Sequence, residues 1–151
     1  MHSIPANLTA LLATGTLHEI LVGIAGHFGC GAGTIHLTEG SVLNLAAHLG
    51  IPEAVVQIIG QVPIGKGIAG LAAERREPVA LCNLQTDTSG QARPAARSTG
   101  MEGSIAVPML AGEQLKGVLG IAKAEAHEWS DEEKSILLEM AAAIAGRAWP
   151  A

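Results

Sequence analysis

Gly103-Ser-Ile-Ala-Val-Pro-Met-Leu-Ala111, Gly112-Glu-Gln114 and Val118-Leu-Gly-Ile-Ala122 form two apolar runs around a short polar break. That is the pattern of a β-hairpin whose strands lie inside a sheet. Beyond it, Trp129-Ser-Asp-Glu-Glu133 opens a long helix. Ser130 and Glu133 have the spacing of a capping box, in which hydroxyl and carboxylate each satisfy one orphan amide of the first turn. The apolar positions Ile136, Leu137, Met140 and Ile144 and the Ala run at 141, 142, 143 and 145 carry this helix to about Ala148.

Upstream, Leu8, Leu11 and Leu12 after Asn7, a plausible N-cap, predict a first helix that Gly15 interrupts. Thr16-Leu-His-Glu19 is a second capping box. It starts a helix whose stripe is Leu17, Ile20, Leu21, Ile24 and Phe28, ended by Gly29 to Gly33. Thr34 to Thr38 and Val42 to Leu49 read as strands of a hairpin turning at Glu39-Gly40. Pro52 predicts a short helix through Ile59 that leads into Val62-Pro63. Ile68 to Arg75 reads as another helix and Val79 to Cys82 as a short strand. From Asn83 to Glu102 apolar periodicity gives way to Gly, Ser, Thr and Pro, with a helical turn at Pro94 to Ser98 and a stop at Gly100. A loop of that length in a compact domain is expected to be a functional lid, mobile until a ligand orders it. The expected architecture is α+β, one domain over 1–151 with a central antiparallel sheet of five to six strands and helices beside it.

Composition narrows the function. The chain has 151 residues, 48% apolar and 15% charged, so it can bury a real core. A net charge of −5 with 9 Lys and Arg excludes the basic footprint that displaces counterions from nucleic acid. No apolar stretch reaches the roughly 20 residues of a membrane span, and Met1-His-Ser-Ile-Pro5 lacks a charged signal-peptide start. A cytoplasmic location is expected. Cys30 and Cys82 form no C-x-x-C, and both are expected reduced and partly buried. With no Tyr, one Phe and two Trp, few rings exist to stack on a planar cofactor, and none is expected.

Together with Pro63-Ile-Gly-Lys-Gly-Ile-Ala-Gly70, the hairpin and terminal helix resemble a GAF domain from about Leu11 to Arg147. The resemblance implies a sensor more than an enzyme: N- and C-terminal helices on one face of the sheet and a small-molecule pocket under loops on the other. It also points to a homodimer packed through the terminal helices, where Ala side chains allow close approach. Gly65, Gly67 and Gly70 also match G-x-G-x-x-G, but Pro63 spoils the preceding strand and no βαβ series follows, so a dinucleotide fold is rejected.

Candidate ligand-binding residues follow from chemistry. Amides of Gly67, Ile68 and Ala69 at a helix start can hold an anion, the plain alternative being a tight turn with solvated amides. Arg93 and Arg97, four apart in a locally basic loop, are candidates to close on a carboxylate, phosphate or nitrate from one side; otherwise they are solvated surface cations. His36 and His48 fall on the more polar strand face with Thr34, Thr38 and Asn44, either as ligand contacts or as hydrogen-bonded sheet histidines. His18, His27, His127 and terminal His2 lack metal-ligand spacing, and no metal is expected. Cys82 at the loop mouth, with Asn83, Met101 and Ser104, completes the set. Cys82 is either a reactive thiol or an ordinary buried one.

No catalytic residue is assigned. Free methionine-R-sulfoxide reductases of the GAF branch use cysteines in the glycine turn and the loop. Here the turn has Ile68-Ala69 and the loop interior has no Cys, so only Cys82 carries over. The bilin-binding Cys-His pair and the cyclic-nucleotide pattern are absent. The family also includes free-standing nitrate receptors that regulate a sensor kinase. The expected function is therefore sensing of a small polar or anionic ligand, for example nitrate or a small carboxylate, with signalling to a partner protein such as a sensor kinase, since no output domain fits in this length; the alternatives are a redox enzyme centred on Cys82 and an interaction module with an empty pocket.

Overall fold

The computed structural model describes residues 4–149. His2 and its expected lack of a metal role lie outside them. One six-stranded antiparallel sheet has the order β3-β2-β1-β6-β5-β4. Its strands are β1 (Ala32–Glu39), β2 (Val42–Leu49), β3 (Gln61–Pro63), β4 (Val79–Leu81), β5 (Ser104–Ala111) and β6 (Gln114–Ala122). The helices are α1 (Ala6–Thr14), α2 (Leu17–His27), α3 (Glu53–Ile59), α4 (Gly67–Arg75), α5 (Pro94–Arg97) and α6 (Asp131–Ala145). The architecture is α+β, as expected.

Strand alternation assigns the two faces. Ile35 of β1, Ile105, Val107 and Met109 of β5, and Leu119 and Ile121 of β6 point into a core with α1, α2 and α6. Leu8, Ile20, Leu21 and Ile24 meet Leu137, Met140 and Ile144 there, all fully buried. Each such side chain is worth about 1.5–3 kcal/mol of transfer free energy. The terminal helices thus share one face. Leu43, Ala106 and Val118 face the other way, packing with Val62, Val79 and the α4 residues Ala72 and Ala73.

Both capping boxes form. Thr16 Oγ1 accepts from the Glu19 amide while Glu19 accepts from the Thr16 amide, and Ser130 and Glu133 repeat the exchange. Helix α1 differs from expectation. It begins one residue before Asn7, with Pro5 as N-cap and no side-chain cap, because the Pro5 carbonyl already accepts from the Leu8 and Thr9 amides. Gly146 caps α6 at Ala145, short of Ala148.

Strand β3 was not anticipated. Val62 pairs with Leu43 and Pro63 with Val42 at the sheet edge, the location where a residue without an N–H is tolerated. Pro108 within β5 is accommodated similarly, since β4 pairs only with Ser104 to Ala106. Between β1 and β2 the register shifts, with Ile35 opposite Ala47 but His36 opposite Leu45. Ala46 is the extra residue of a β-bulge. The bulge reverses parity, so one strand sends Ala47 to the helical core and Leu43 to the opposite face. Among the described residues, no helix is long and apolar enough to cross a membrane.

Candidate functional site

A cavity of ≈ 150 Å³ lies on the sheet face away from α1, α2 and α6. Much of its back wall is built from small strand residues: Ala32 of β1, Ala106 of β5, and Gly120 and Ala122 of β6. A Cβ at Gly120 would come within 3.2 Å of Thr34 Oγ1, so the wall is flat because side chains are missing from it. Ile51, Val55 and Ile59, spaced four apart, line one side, and Leu84, Ala95 and Ala96 come from the long loop.

The start of α4 lines another part of the cavity. Gly65 and Gly67 have φ of 98° and 67°, values that favour glycine. They turn the chain so that the Gly65 amide reaches the Gly70 carbonyl. At Gly70 a Cβ would lie 2.6 Å from the Pro63 carbonyl oxygen. The N-cap residue is Lys66, and no side chain caps the helix. The amides of Gly67, Ile68 and Ala69, all cavity-lining residues, therefore carry the positive end of the α4 dipole uncapped.

Arg93 reaches the same place. Its Cγ and Cδ lie across Gly67, and Nη1 is buried with no hydrogen-bond partner in the protein. Arg97 goes elsewhere: it is exposed and its Nη2 donates to the Asp87 carbonyl at 2.8 Å. The expectation of a paired clamp is corrected for a simple reason. Arg93 is the N-cap of α5, with φ −73° and ψ 151°, so it stands outside the helix and helical phase does not relate it to Arg97.

His36, 2% exposed, lines the cavity from β1. Its Nε2 is 2.9 Å from the Ile59 carbonyl oxygen. A carbonyl only accepts, so Nε2 bears the proton. Burial pushes the imidazole pKa down, leaving a neutral ring whose Nδ1 is a bare acceptor. That atom too is buried without a partner in the protein. His48 is exposed and outside the lining. It sits opposite Thr34, beyond the stretch of β2 that β3 covers, so solvent reaches it at the sheet edge.

Of the loop residues, Met101 and Ser104 line the cavity, together with Thr99. Asn83 instead closes the neck of the loop, donating to the Glu102 carboxylate at 3.1 Å and accepting from the Gln85 amide at 2.9 Å. The Leu84 amide to Glu102 carbonyl bond pins the same neck. Cys82, expected to be partly buried, is exposed and outside the lining. Strand β4 ends at Leu81, and the Cys82 carbonyl is held by the His127 amide. Cys30 lies in the opposite, helical core, where burial pushes its thiol up to about 11.

Sequence reasoning missed Thr99, Lys66 and the Ile51, Val55, Ile59 wall. Val55 and Ile59, four apart in α3, share a helix face that spacing could have shown, whereas Ile51 precedes the Pro52 N-cap and helical spacing does not place it. The lining is mostly apolar, holds two cationic residues, Lys66 and Arg93, and contains no Asp, Glu or Cys.

A single curled sheet, terminal helices on one face and a loop-covered cavity on the other define a small α+β pocket module. The sequence model of the GAF domain matches residues 12–147, and the chain belongs to that family. Among solved structures, it is similar to the GAF domain of a phosphoenolpyruvate-protein phosphotransferase from Coxiella burnetii, at 23% identity and TM-score 0.75, covering 93% of this chain and 87% of that one. The free methionine-R-sulfoxide reductase of Neisseria meningitidis, in complex with its substrate, is 16% identical with TM-score 0.74, over 97% and 92% of the two chains. The type II enzyme of Thermoplasma acidophilum is 16% identical with TM-score 0.73, over 92% and 93%. Curated proteins yield no match to the chain. At these identities the likeness is one of fold.

Proposed function

We propose that this GAF domain is a non-enzymatic sensor of a small anion, a short carboxylate in preference to nitrate, that signals occupancy to a partner protein. The carrying observation is Arg93, whose stem lies across Gly67 at the uncapped start of α4 and whose Nη1 is buried and unpartnered. A guanidinium N–H left unsatisfied is costly, and an anion at that point would satisfy it together with the helix-start amides. No carboxylate lines the cavity to compete.

Size and polarity favour a carboxylate with an aliphatic body. An apolar cavity of about 150 Å³ takes a benzene-sized molecule, which exceeds nitrate and leaves apolar walls for a short alkyl chain. The lining has no thiol, which counts against cysteine chemistry in this cavity, although several structural neighbours are methionine-R-sulfoxide reductases. Signalling would pass through the terminal-helix face, to a second copy or to a sensor kinase, as the family resemblance implies.

Calorimetry with butanoate, nitrate and phosphate tests the reading. Butanoate is expected to bind below millimolar concentration and more tightly than nitrate. Failure of every anion to bind at that level overturns it. Sedimentation with and without butanoate tests the homodimer, which a monomer in both conditions would refute.

A further inference from the structure

Two of the residues that line the cavity each carry a buried, unpartnered polar atom, and the two atoms are of opposite character. Arg93 Nη1 is a donor. His36 Nδ1 is an acceptor, because the Ile59 carbonyl fixes the proton on Nε2. A plain carboxylate offers oxygens to the first and nothing to the second. An unsatisfied acceptor in a low-dielectric site costs about as much as a lost hydrogen bond, so a ligand that also donates is selected over one that does not.

Resting on the carboxylate reading above, we propose that the ligand class is a short aliphatic hydroxy acid. Its carboxylate meets Arg93 and the amides of Gly67 to Ala69, its hydroxyl donates to His36 Nδ1, and its alkyl carbons lie among Val55, Ile59 and Ile68. An amino acid is the obvious competitor, since an ammonium also donates. The lining disfavours it. No Asp or Glu is present to balance a second charge, and an ammonium in an apolar cavity beside a neutral imidazole and two cationic side chains is costly. A keto acid is disfavoured for a different reason: its carbonyl would set an acceptor against the Nδ1 acceptor.

The test uses the intact protein and four-carbon acids of one chain length: butanoate, 2-hydroxybutanoate, 3-hydroxybutanoate, 2-oxobutanoate and 2-aminobutanoate. Calorimetry at neutral pH is expected to show one of the hydroxy acids binding about tenfold or more tightly than butanoate, the order expected when an orphaned acceptor gains its donor. The oxo and amino acids should bind no better than butanoate. Nitrogen NMR of the histidine rings should show His36 as the Nε2–H tautomer, with the Nδ1 resonance moving on adding the tighter hydroxy acid and not on adding butanoate. In His36→Phe the ratio of hydroxy-acid to butanoate affinity should fall to about one. Should that variant not fold, the ligand series and the NMR readout on the unmodified protein decide the matter alone.

Equal binding of butanoate and both hydroxy acids would overturn the proposal while leaving the carboxylate reading intact. It would mean that Nδ1 is served otherwise, for example by an ordered water. Preference for 2-aminobutanoate would overturn it in favour of an amino acid. Absence of binding by all five acids would overturn the carboxylate reading itself, and this inference with it.

Discussion

The aliphatic stem of Arg93 rests on the bare Cα of Gly67: a Cβ there would come within 3.0 Å of both Cγ and Cδ. The left-handed turn and the guanidinium are therefore placed by one contact. Gly67→Ala should push Arg93 out of the cavity and strain a backbone held at φ 67°. We expect butanoate affinity to fall at least as far as in Arg93→Ala. Unchanged affinity in Gly67→Ala would show that the stem does not depend on this seat.

Arg93→Ala should weaken butanoate binding by roughly 1.5–3 kcal/mol, the range for a hydrogen bond to a charged group. Arg97→Ala should leave it unchanged, because Arg97 is committed to the Asp87 carbonyl. Arg75, bonded to Gln91, should also be silent. Calorimetry on the three variants decides whether one arginine or two serve the ligand.

Thiol chemistry should divide the cysteines. Exposed Cys82 should react with iodoacetamide quickly at neutral pH, and Cys30, buried and pushed up to about 11, only after unfolding. Mass spectrometry after a short exposure should find one label, absent in Cys82→Ser. That variant should bind butanoate normally, and neither protein should reduce methionine-R-sulfoxide with a thiol reductant. Turnover lost in Cys82→Ser would establish an enzyme instead.

Acid should destabilise the fold through His36. Burial lowers its pKa below the ordinary 6.5, so between those two values the unfolded chain binds a proton that the folded chain refuses. Stability is then complete above about 6.5 and declines as pH falls towards the depressed value, where the decline levels off. The hydrogen bond to the Ile59 carbonyl opposes the shift without cancelling it. Urea midpoints measured against pH should show this slope, and it should be reduced in His36→Phe.

Each capping box should be worth about 1 kcal/mol. Thr16→Ala and Ser130→Ala should each lower the urea midpoint by that equivalent, and together additively, since they start separate helices. A loss confined to one variant would show that the other helix is held by packing alone.

The fold was legible where local chemistry and long-range packing agree. Both capping boxes and the β1–β2 and β5–β6 hairpins are written in short windows, and Val42–Leu49 matches its expected bounds. Strand β3 was not legible, because three residues around Pro63 have no pattern until β2 lies beside them. Site residues separated the same way. That Gly67, Ile68 and Ala69 line the cavity follows from a turn, which is local. His36 and His48 looked equivalent by alternation, and only the sheet edge tells one from the other. Arg93 and Arg97 were paired by helical spacing that Arg93, as a cap, does not obey.

Ala32, Ala106, Gly120 and Ala122 form much of the back wall of the cavity, beside Thr34, His36 and Ser104. The space is thus made by subtraction from an ordinary sheet face rather than by bending the backbone around a guest. Cavity volume becomes a quantity that one substitution can reset while the hydrogen-bond ladder stays as it is. Ala106 marks the place most directly, since it faces the space from β5 while its neighbours Ile105 and Val107 anchor the helical core behind. A family that keeps one frame can in this way accept guests of different bulk by editing a few methyl groups, and the chemistry at the rim then decides which of the molecules that fit will stay.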